Sequence, residues 1–335
     1  MAEPLVVGVD LGGTKVATAV ARLDATIVSR VTRPTLPERG VDAVVATITD
    51  SVREAVKEAG LTLDRVAGVG VGSPGPLNPE SGVVTFAPNL KWHDVPLAAL
   101  MREALGVPVY LENDANLAAL GEARYGAGRG SKNMIYITVS TGIGGGLILG
   151  GQIYNGSSFV AGEVGHMTIT DEDGSPQCGC GNYGCLEALA SGPAIARMAR
   201  ELIRHGEETM ILDLVHGDIE LVTSEVVGRA ALAGDAAAIA ILGKAADYLG
   251  IGIANLVNIL NPDTVVIGGG VSKVGEILLK PVRKVVAERA LRSAFEAVRI
   301  VQAELGQDAG VVGAACLVLS KLGMPGLGNA GCSLS

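Results

Sequence analysis

The chain has 335 residues, room for two domains of roughly 150 residues each, and its 48% hydrophobic and 18% charged content excludes a disordered polymer. A net charge of −9 repels phosphate backbones, so nucleic acid is not an expected partner. No run of about 18 apolar residues occurs, and no basic segment followed by an apolar one opens the chain, so neither a membrane span nor a signal peptide is expected and the cytoplasm is the expected location.

In chain order, residues 5–10 (LVVGVD) form an apolar strand, followed by a Gly-containing corner and apolar runs over 16–23 and 26–31, an antiparallel meander. Residues 41–59 have helical spacing and end at Gly60. A strand over 66–71 runs into Gly72-Ser73-Pro74-Gly75-Pro76. A helix over 97–105 closes at Gly106, and a strand over 107–111 delivers Glu112, Asn113 and Asp114 at its carboxyl end. The pattern then restarts with a strand over 134–140, a glycine turn over 141–146 and a further strand from 147. Helices are expected over 192–205, 224–232, 236–260 and 274–290, with strands over 264–267 and 298–303, a last helix over 311–322 and a disordered Gly-rich tail over 324–335. Alternating strands and helices indicate an α/β fold. The repeat of strand, glycine hairpin and strand is either chance reuse of a turn or the mark of two related halves that present a hairpin each to one ligand.

Asp10-Leu11-Gly12-Gly13-Thr14-Lys15 joins two strands. Missing Cβ atoms at Gly12 and Gly13 let a phosphate reach backbone N–H groups, Thr14 adds a hydroxyl, Lys15 a positive charge, and Asp10 a carboxylate for Mg²⁺. Thr141 and Gly142 can face the same phosphates from the second half. There is no Walker A loop, and the nearest match to a dinucleotide fingerprint, Gly68 to Gly72, has Ser73 where the last glycine is required. Asp114 starts a helical segment, so it is either an N-cap or, with Asp10 at a second strand end, the carboxylate that orients and deprotonates an attacking hydroxyl. Asn113 beside it can donate and accept hydrogen bonds from a polyol.

Three of the five cysteines, Cys178, Cys180 and Cys185, fall within eight residues, and His166 lies just upstream. A Cys₃His set is a tetrahedral Zn²⁺ composition, closed by four protein ligands and therefore structural. Glu163 and Glu187 flank it. Glu163 sits in an uncharged run and needs a partner.

These residues together resemble the ROK family of bacterial sugar kinases and repressors. The matching motifs are DLGGTK at 10–15, SPGPLN at 73–78, APNL at 87–90, END at 112–114, TGIGGG at 141–146, GEVGH at 162–166, CGCGNYGCLE at 178–187 and GGGV at 268–271. The resemblance implies a duplicated ribonuclease-H-like (actin-like ATPase) fold: a small α/β domain over 1–115 joined by the 311–322 helix, and a large one over 116–310, around a cleft. It implies ATP-dependent phosphorylation of glucose, with Asp114 as general base; an N-acetylmannosamine or fructose kinase and a non-catalytic sugar sensor are the alternatives. Sugar hydroxyls would be bound by Gly75, Asn89, Asn113, Asp114, Glu163, His166 and Glu187. ATP phosphates would lie on Gly12, Gly13, Thr14, Thr141 and Gly142, beside Asp10 and Lys15, with Gly268, Gly269 and Gly270 near the adenosine. His166 would ligate Zn²⁺ through one nitrogen and reach the sugar with the other. Dimers or tetramers are the implied assemblies. Repressor members carry a helix-turn-helix domain before the first strand; with only residues 1–5 there and an acidic charge, a kinase is expected here.

Overall fold

The computed structural model describes residues 5–323. The tail read as disordered, 324–335, lies outside the described residues. The chain opens with β1 (Leu5–Leu11), β2 (Lys15–Ala21), β3 (Ile27–Pro34), α1 (Val41–Glu58) and β4 (Val66–Ser73). Three short strands follow, β5 (Leu77–Asn78), β6 (Val83–Ala87) and β7 (Trp92–Val95), then α2 (Leu97–Leu105), β8 (Val109–Asn113) and α3 (Asp114–Tyr125). The second series begins with β9 (Met134–Val139), β10 (Ile143–Leu149) and β11 (Gln152–Ile153). Helices α4 (Leu186–Ala190), α5 (Gly192–Arg204), α6 (Met210–Leu214), α7 (Ser224–Leu232) and α8 (Ala236–Leu260) lead to β12 (Thr264–Gly268). The chain continues with α9 (Glu276–Arg289), α10 (Arg292–Ala297), β13 (Arg299–Gln302) and α11 (Ala309–Lys321).

By its contacts the chain divides into two units, 5–132 with 146–162 and 304–323, and 133–145 with 163–303. The boundary read from the sequence at 115/116 therefore moves to 132/133, because α3 packs on α11 within the first unit.

In the first unit the sheet order is β3-β2-β1-β4-β8. Strands β1 and β2 are antiparallel, whereas β1, β4 and β8 run parallel. Alternation along β1 decides what covers each face. Val7, Val9 and Leu11 join a core cluster with the α1 stripe Val44, Ile48, Val52 and Ala55, while Val6 clusters with Ala315, Val318 and Leu319 of α11. Both faces are covered, and β4 accordingly is apolar or glycine almost throughout. Gly8 and Gly70 are register partners on β1 and β4. A Cβ on either would meet a carbonyl oxygen of α11 at 2.0 Å, Val311 O for Gly8 and Ala314 O for Gly70. The two glycines form the slot in which α11 lies. Gly70→Ala is expected to cost about 1–3 kcal/mol through overpacking against backbone. An unchanged urea midpoint would show that α11 is not seated there.

The second sheet has the order β11-β10-β9-β12-β13, the same sequence of an antiparallel β10–β11 hairpin followed by parallel β9, β12 and β13. This is the repeat glimpsed in the two glycine hairpins. One expectation changes. The turn read over 141–146 is confined to Ser140, Thr141 and Gly142, and β10 starts at Ile143. Gly146 is a strand residue whose Cβ would lie 2.7 Å from Ala115 O, so close approach to α3 requires it rather than a turn. The small sheet β5-β6-β7 was also not expected from the sequence. Helix α8, although broken by Lys244 and Asp247, is long and apolar enough by length and composition to cross a membrane, which the count of consecutive apolar residues overlooked. Its Leu242, Ala245, Leu249, Ile253 and Val257 are buried inside the second unit, as in a core helix.

Candidate active site

In the first unit the candidate residues gather at the carboxyl ends of the parallel strands. Register sets Asp10 beside Gly72, Gly72 beside Glu112, and Ser73 beside Asn113. With strands about 4.8 Å apart, Asp10 and Glu112 are roughly 10 Å apart across β4. Asp114 follows two residues on. The competition between cap and base resolves locally. The N-cap of α3 is Asn113, whose Oδ1 accepts from Ala115 N at 2.9 Å and Asn116 N at 3.2 Å. Asp114 is the first residue of the helix proper, and its Oδ1 also accepts from Ala115 N at 2.8 Å. Its charge is favoured at a helix N-terminus. Of Asn113, the oxygen is engaged in the cap, and the NH₂ group is the part not used there.

Glu112, given no role from the sequence, braces this turn. It is buried, its Oε1 accepts from Asn113 N at 2.9 Å and Asn116 Nδ2 at 3.0 Å, and its Oε2 accepts from Asn155 Nδ2 at 3.0 Å. A buried carboxylate needs such donors. Asn155 lies in a loop without a motif, so nothing in the sequence pointed to it.

The first glycine corner is a closed hairpin. Gly12 N donates to Lys15 O at 2.9 Å, and Thr35 Oγ1 donates to Gly12 O at 2.7 Å. Gly12 N–H is thus spent within the loop, and the donors left for a phosphate are further along, at Gly13 and Thr14. Thr14 and Lys15 are exposed. Burial pushes the Asp10 carboxyl above its ordinary range, and the positive charge of Lys15 opposes that. A Cβ on Gly310, in the first turn of α11, would lie 2.8 Å from Asp10 Oδ2, so the helix start comes close to this carboxylate. Asn89 borders the same loop: a Cβ on Gly13 would stand 3.2 Å from Asn89 Cβ. Gly75 has φ +86, and a Cβ there would meet Phe86 O at 2.0 Å, so no other residue fits. A cavity of about 790 Å³ in this unit, beside residues 106–111 and Lys321, lies at the other end of β8 and is lined by none of these residues.

In the second unit, Ser140 N donates to Gly142 O at 2.9 Å and Gly192 N to Ser140 O at 2.8 Å, which fixes the β9–β10 turn with Thr141 exposed. A cavity of about 660 Å³ opens beside it, lined by Ser140, Thr141, Gly270 and residues of α5 and α7. Arg200, Thr223, Glu225, Arg229 and Lys273 line it too, and sequence reasoning missed all of them because they belong to no motif. Of Gly268, which ends β12, and Gly269 and Gly270, which follow it, only Gly270 lines this cavity. Gly268 is required by Tyr136, whose Oη would be 2.4 Å from a Cβ, and Gly269 by φ +86 and the backbone of Val139.

The metal set converges. One ligand atom from each of His166, Cys178, Cys180 and Cys185 falls within 4.8 Å of the others. His166 Nδ1 is 3.6 Å from Cys178 Sγ, and the Cys180 and Cys185 sulfurs are 3.7 Å apart. A tetrahedron with Zn–S arms of about 2.3 Å and Zn–N arms of about 2.05 Å has S···N edges of about 3.6 Å and S···S edges of about 3.8 Å. The donors therefore fit a tetrahedral cation. Burial, with neighbouring sulfurs adding to it, pushes the Cys185 thiol up to about 12, and burial also raises Cys178. The Asn182 N–H lowers Cys180. His166 Nε2 points away from the sulfurs toward Glu163 Oε2, at 3.8 Å. Glu187 was expected among the sugar contacts. Its Oε2 accepts from Ile143 N at 2.9 Å, and its Oε1 is 3.7 Å from Cys178 Sγ.

The family model for ROK family proteins matches residues 6–321. The chain belongs to the ROK family. It is 41% identical to a glucokinase of Halalkalibacterium halodurans over 95% of this chain and 96% of that one. It is 30% identical to a xylose repressor of Bacillus subtilis, over 93% of this chain and 76% of that one. Among solved structures, a ROK family glucokinase from Streptomyces griseus in complex with glucose and AMPPNP matches with a TM-score of 0.81 and 36% identity, covering 93% of this chain and 98% of that one. The fold is thus the α/β, two-domain actin-like ATPase fold of these kinases, as the paired sheets imply.

Proposed function

We propose that this chain is an ATP-dependent glucokinase that transfers the γ-phosphoryl group of ATP to glucose, forming glucose 6-phosphate. The observation that carries the reading is the strand-end row of Asp10, Glu112, Asn113 and Asp114, in which Asn113 caps the helix and Asp114 opens it at the carboxyl end of the strand. Similarity to glucokinases along nearly the whole chain, one with glucose and an ATP analogue bound, supports it.

Asp114 accepts the proton of the attacking sugar hydroxyl as the bond to phosphorus forms. Asn113, held by Glu112 and by its own cap, orients that hydroxyl. Gly13, Thr14 and Lys15 from one hairpin and Thr141 and Gly142 from the other bind phosphate oxygens, and the cavity beside Gly270 takes the adenosine. Asp10 would hold Mg²⁺, which neutralises charge on the transferring phosphates. His166 Nδ1, Cys178, Cys180 and Cys185 would hold Zn²⁺, which supplies rigidity rather than reactivity. His166 Nε2 and Glu163 then face the sugar hydroxyls. Unpaired thiols at all four described cysteines suit a reducing cytoplasm.

A linked assay over a panel of hexoses with ATP and Mg²⁺ tests the specificity. Glucose is expected to give the highest kcat/KM. Turnover of N-acetylmannosamine or fructose without turnover of glucose would replace the substrate and keep the chemistry, and turnover of no sugar would leave the sugar sensor.

A further inference from the structure

Glu187 lies two residues beyond Cys185, on the short helix α4 that leaves the metal knot. It is set on the knot side by Cys178 Sγ, 3.7 Å from Oε1. On its other side Oε2 accepts the N–H of Ile143 at 2.9 Å. Ile143 directly follows Thr141 and Gly142, and Gly142 has no side chain where Oε2 sits: a Cβ there would lie 2.5 Å from it. The carbonyl of the same residue packs against the segment that leads into the knot. Gly165, next to His166, is packed so tightly on it that a Cβ would stand 2.0 Å from Ile143 O. The residue anchoring the second glycine hairpin therefore gives its N–H to an acid just after the last metal ligand, and its carbonyl packs closely on the residue before the first.

We propose that Glu187 is a positioning residue for the nucleotide: through Ile143 it fixes the Thr141–Gly142 hairpin, so the metal knot sets the phosphate-binding geometry as well as the sugar-binding one. An N–H donated to a carboxylate is stronger than one donated to a neutral acceptor, and it adds to the Ser140 N–Gly142 O and Gly192 N–Ser140 O bonds that hold this exposed turn. Fixing donors before the ligand arrives removes an ordering cost from binding. The inference rests on the reading of this hairpin as a phosphate cradle.

The test is titration of Mg²⁺-AMPPNP, without sugar, into the zinc-loaded wild type and the Glu187→Ala and Glu187→Gln variants, together with hydrogen exchange at the Ile143 amide. Glu187→Ala is expected to weaken AMPPNP about tenfold and to deprotect the amide. Glu187→Gln, whose side-chain oxygen can accept the same N–H, is expected to stay within about threefold with the amide protected. Equal AMPPNP affinity in the wild type and Glu187→Ala would overturn the inference, whatever happens to the KM for glucose, and so would an equal loss in both variants. Because Glu187→Ala also removes a group beside Cys178 of the knot, metal-stripped wild type is the second arm. It is expected to lose both protection at Ile143 and AMPPNP affinity; retention of both would also overturn the inference. A zinc-loaded wild type that binds no AMPPNP would remove the phosphate-cradle reading itself.

Discussion

Replacing Asp114 by alanine is expected to lower kcat about a thousandfold while leaving AMPPNP affinity within about twofold, since a positioned general base contributes on the order of 10²–10⁴ in rate. The substitution is unusually clean. The cap of α3 is the Oδ1 of Asn113, so the helix start survives the loss of the Asp114 carboxylate. The brace from Glu112 and Asn155 acts on Asn113 and Asn116, not on Asp114. Losing the bond from Ala115 N and a charge at the helix start should lower the thermal midpoint modestly, without abolishing folding. Asp114→Asn keeps the shape and removes the basicity, and it should fail nearly as badly. A variant of either kind that retains full turnover would take the base role away from Asp114. The complementary experiment at Asn113 should read differently: Asn113→Ala removes a cap worth about 1 kcal/mol and should lower stability as well as turnover.

The second large effect is expected on removal of the metal. The knot has almost no core of its own: the buried cluster there is Cys178, Cys185 and Ala188. It closes on itself through a few backbone bonds, such as Cys178 N to Asn182 O at 2.7 Å and Gly184 N to Pro176 O at 3.1 Å. A segment with so little apolar burial depends on the metal for its order. Elemental analysis should find about one zinc per chain. Stripping the metal should speed hydrogen exchange across residues 163–187 and raise the KM for glucose at least about tenfold, the scale seen when groups that orient a metal-site residue are lost. Cys180→Ser should do the same. A metal-free protein with an unaltered KM would confine the knot to a role in folding.

Both of these sites were legible in the sequence because their information is local. Cys178, Cys180, Cys185 and His166 lie within 20 residues, and Asn113-Asp114 stands at the end of an apolar run. Where the reading slipped, the deciding partner was distant in the chain. Residues 141–146 looked like a turn, yet Gly146 is small because α3 passes against it. Gly268 and Gly269 were read as lying near the adenosine, and the tyrosine ring and neighbouring strand that crowd them come from elsewhere in the chain. Glu187 was read as a sugar contact, and its additional bond from the N–H of Ile143 leaves no signal in its sequence context. The small sheet of β5, β6 and β7 has strands of two to five residues and bends at Lys91 and Asp94 with positive φ, too short for periodicity to register. The cavity beside Gly270 is built from side chains spread over 130 residues, which no motif can show.

The slot formed by Gly8 and Gly70 has a consequence for how the protein is made. The helix that fills it, α11, is synthesised after every residue of the second unit. Until it emerges, one face of the first sheet, made within the first 113 residues, stays bare on the ribosome. The unit that begins the chain is thus the last to be finished. A nascent chain halted before residue 309 should carry a complete second unit and an open, protease-sensitive first one, and it is there that chaperones should bind.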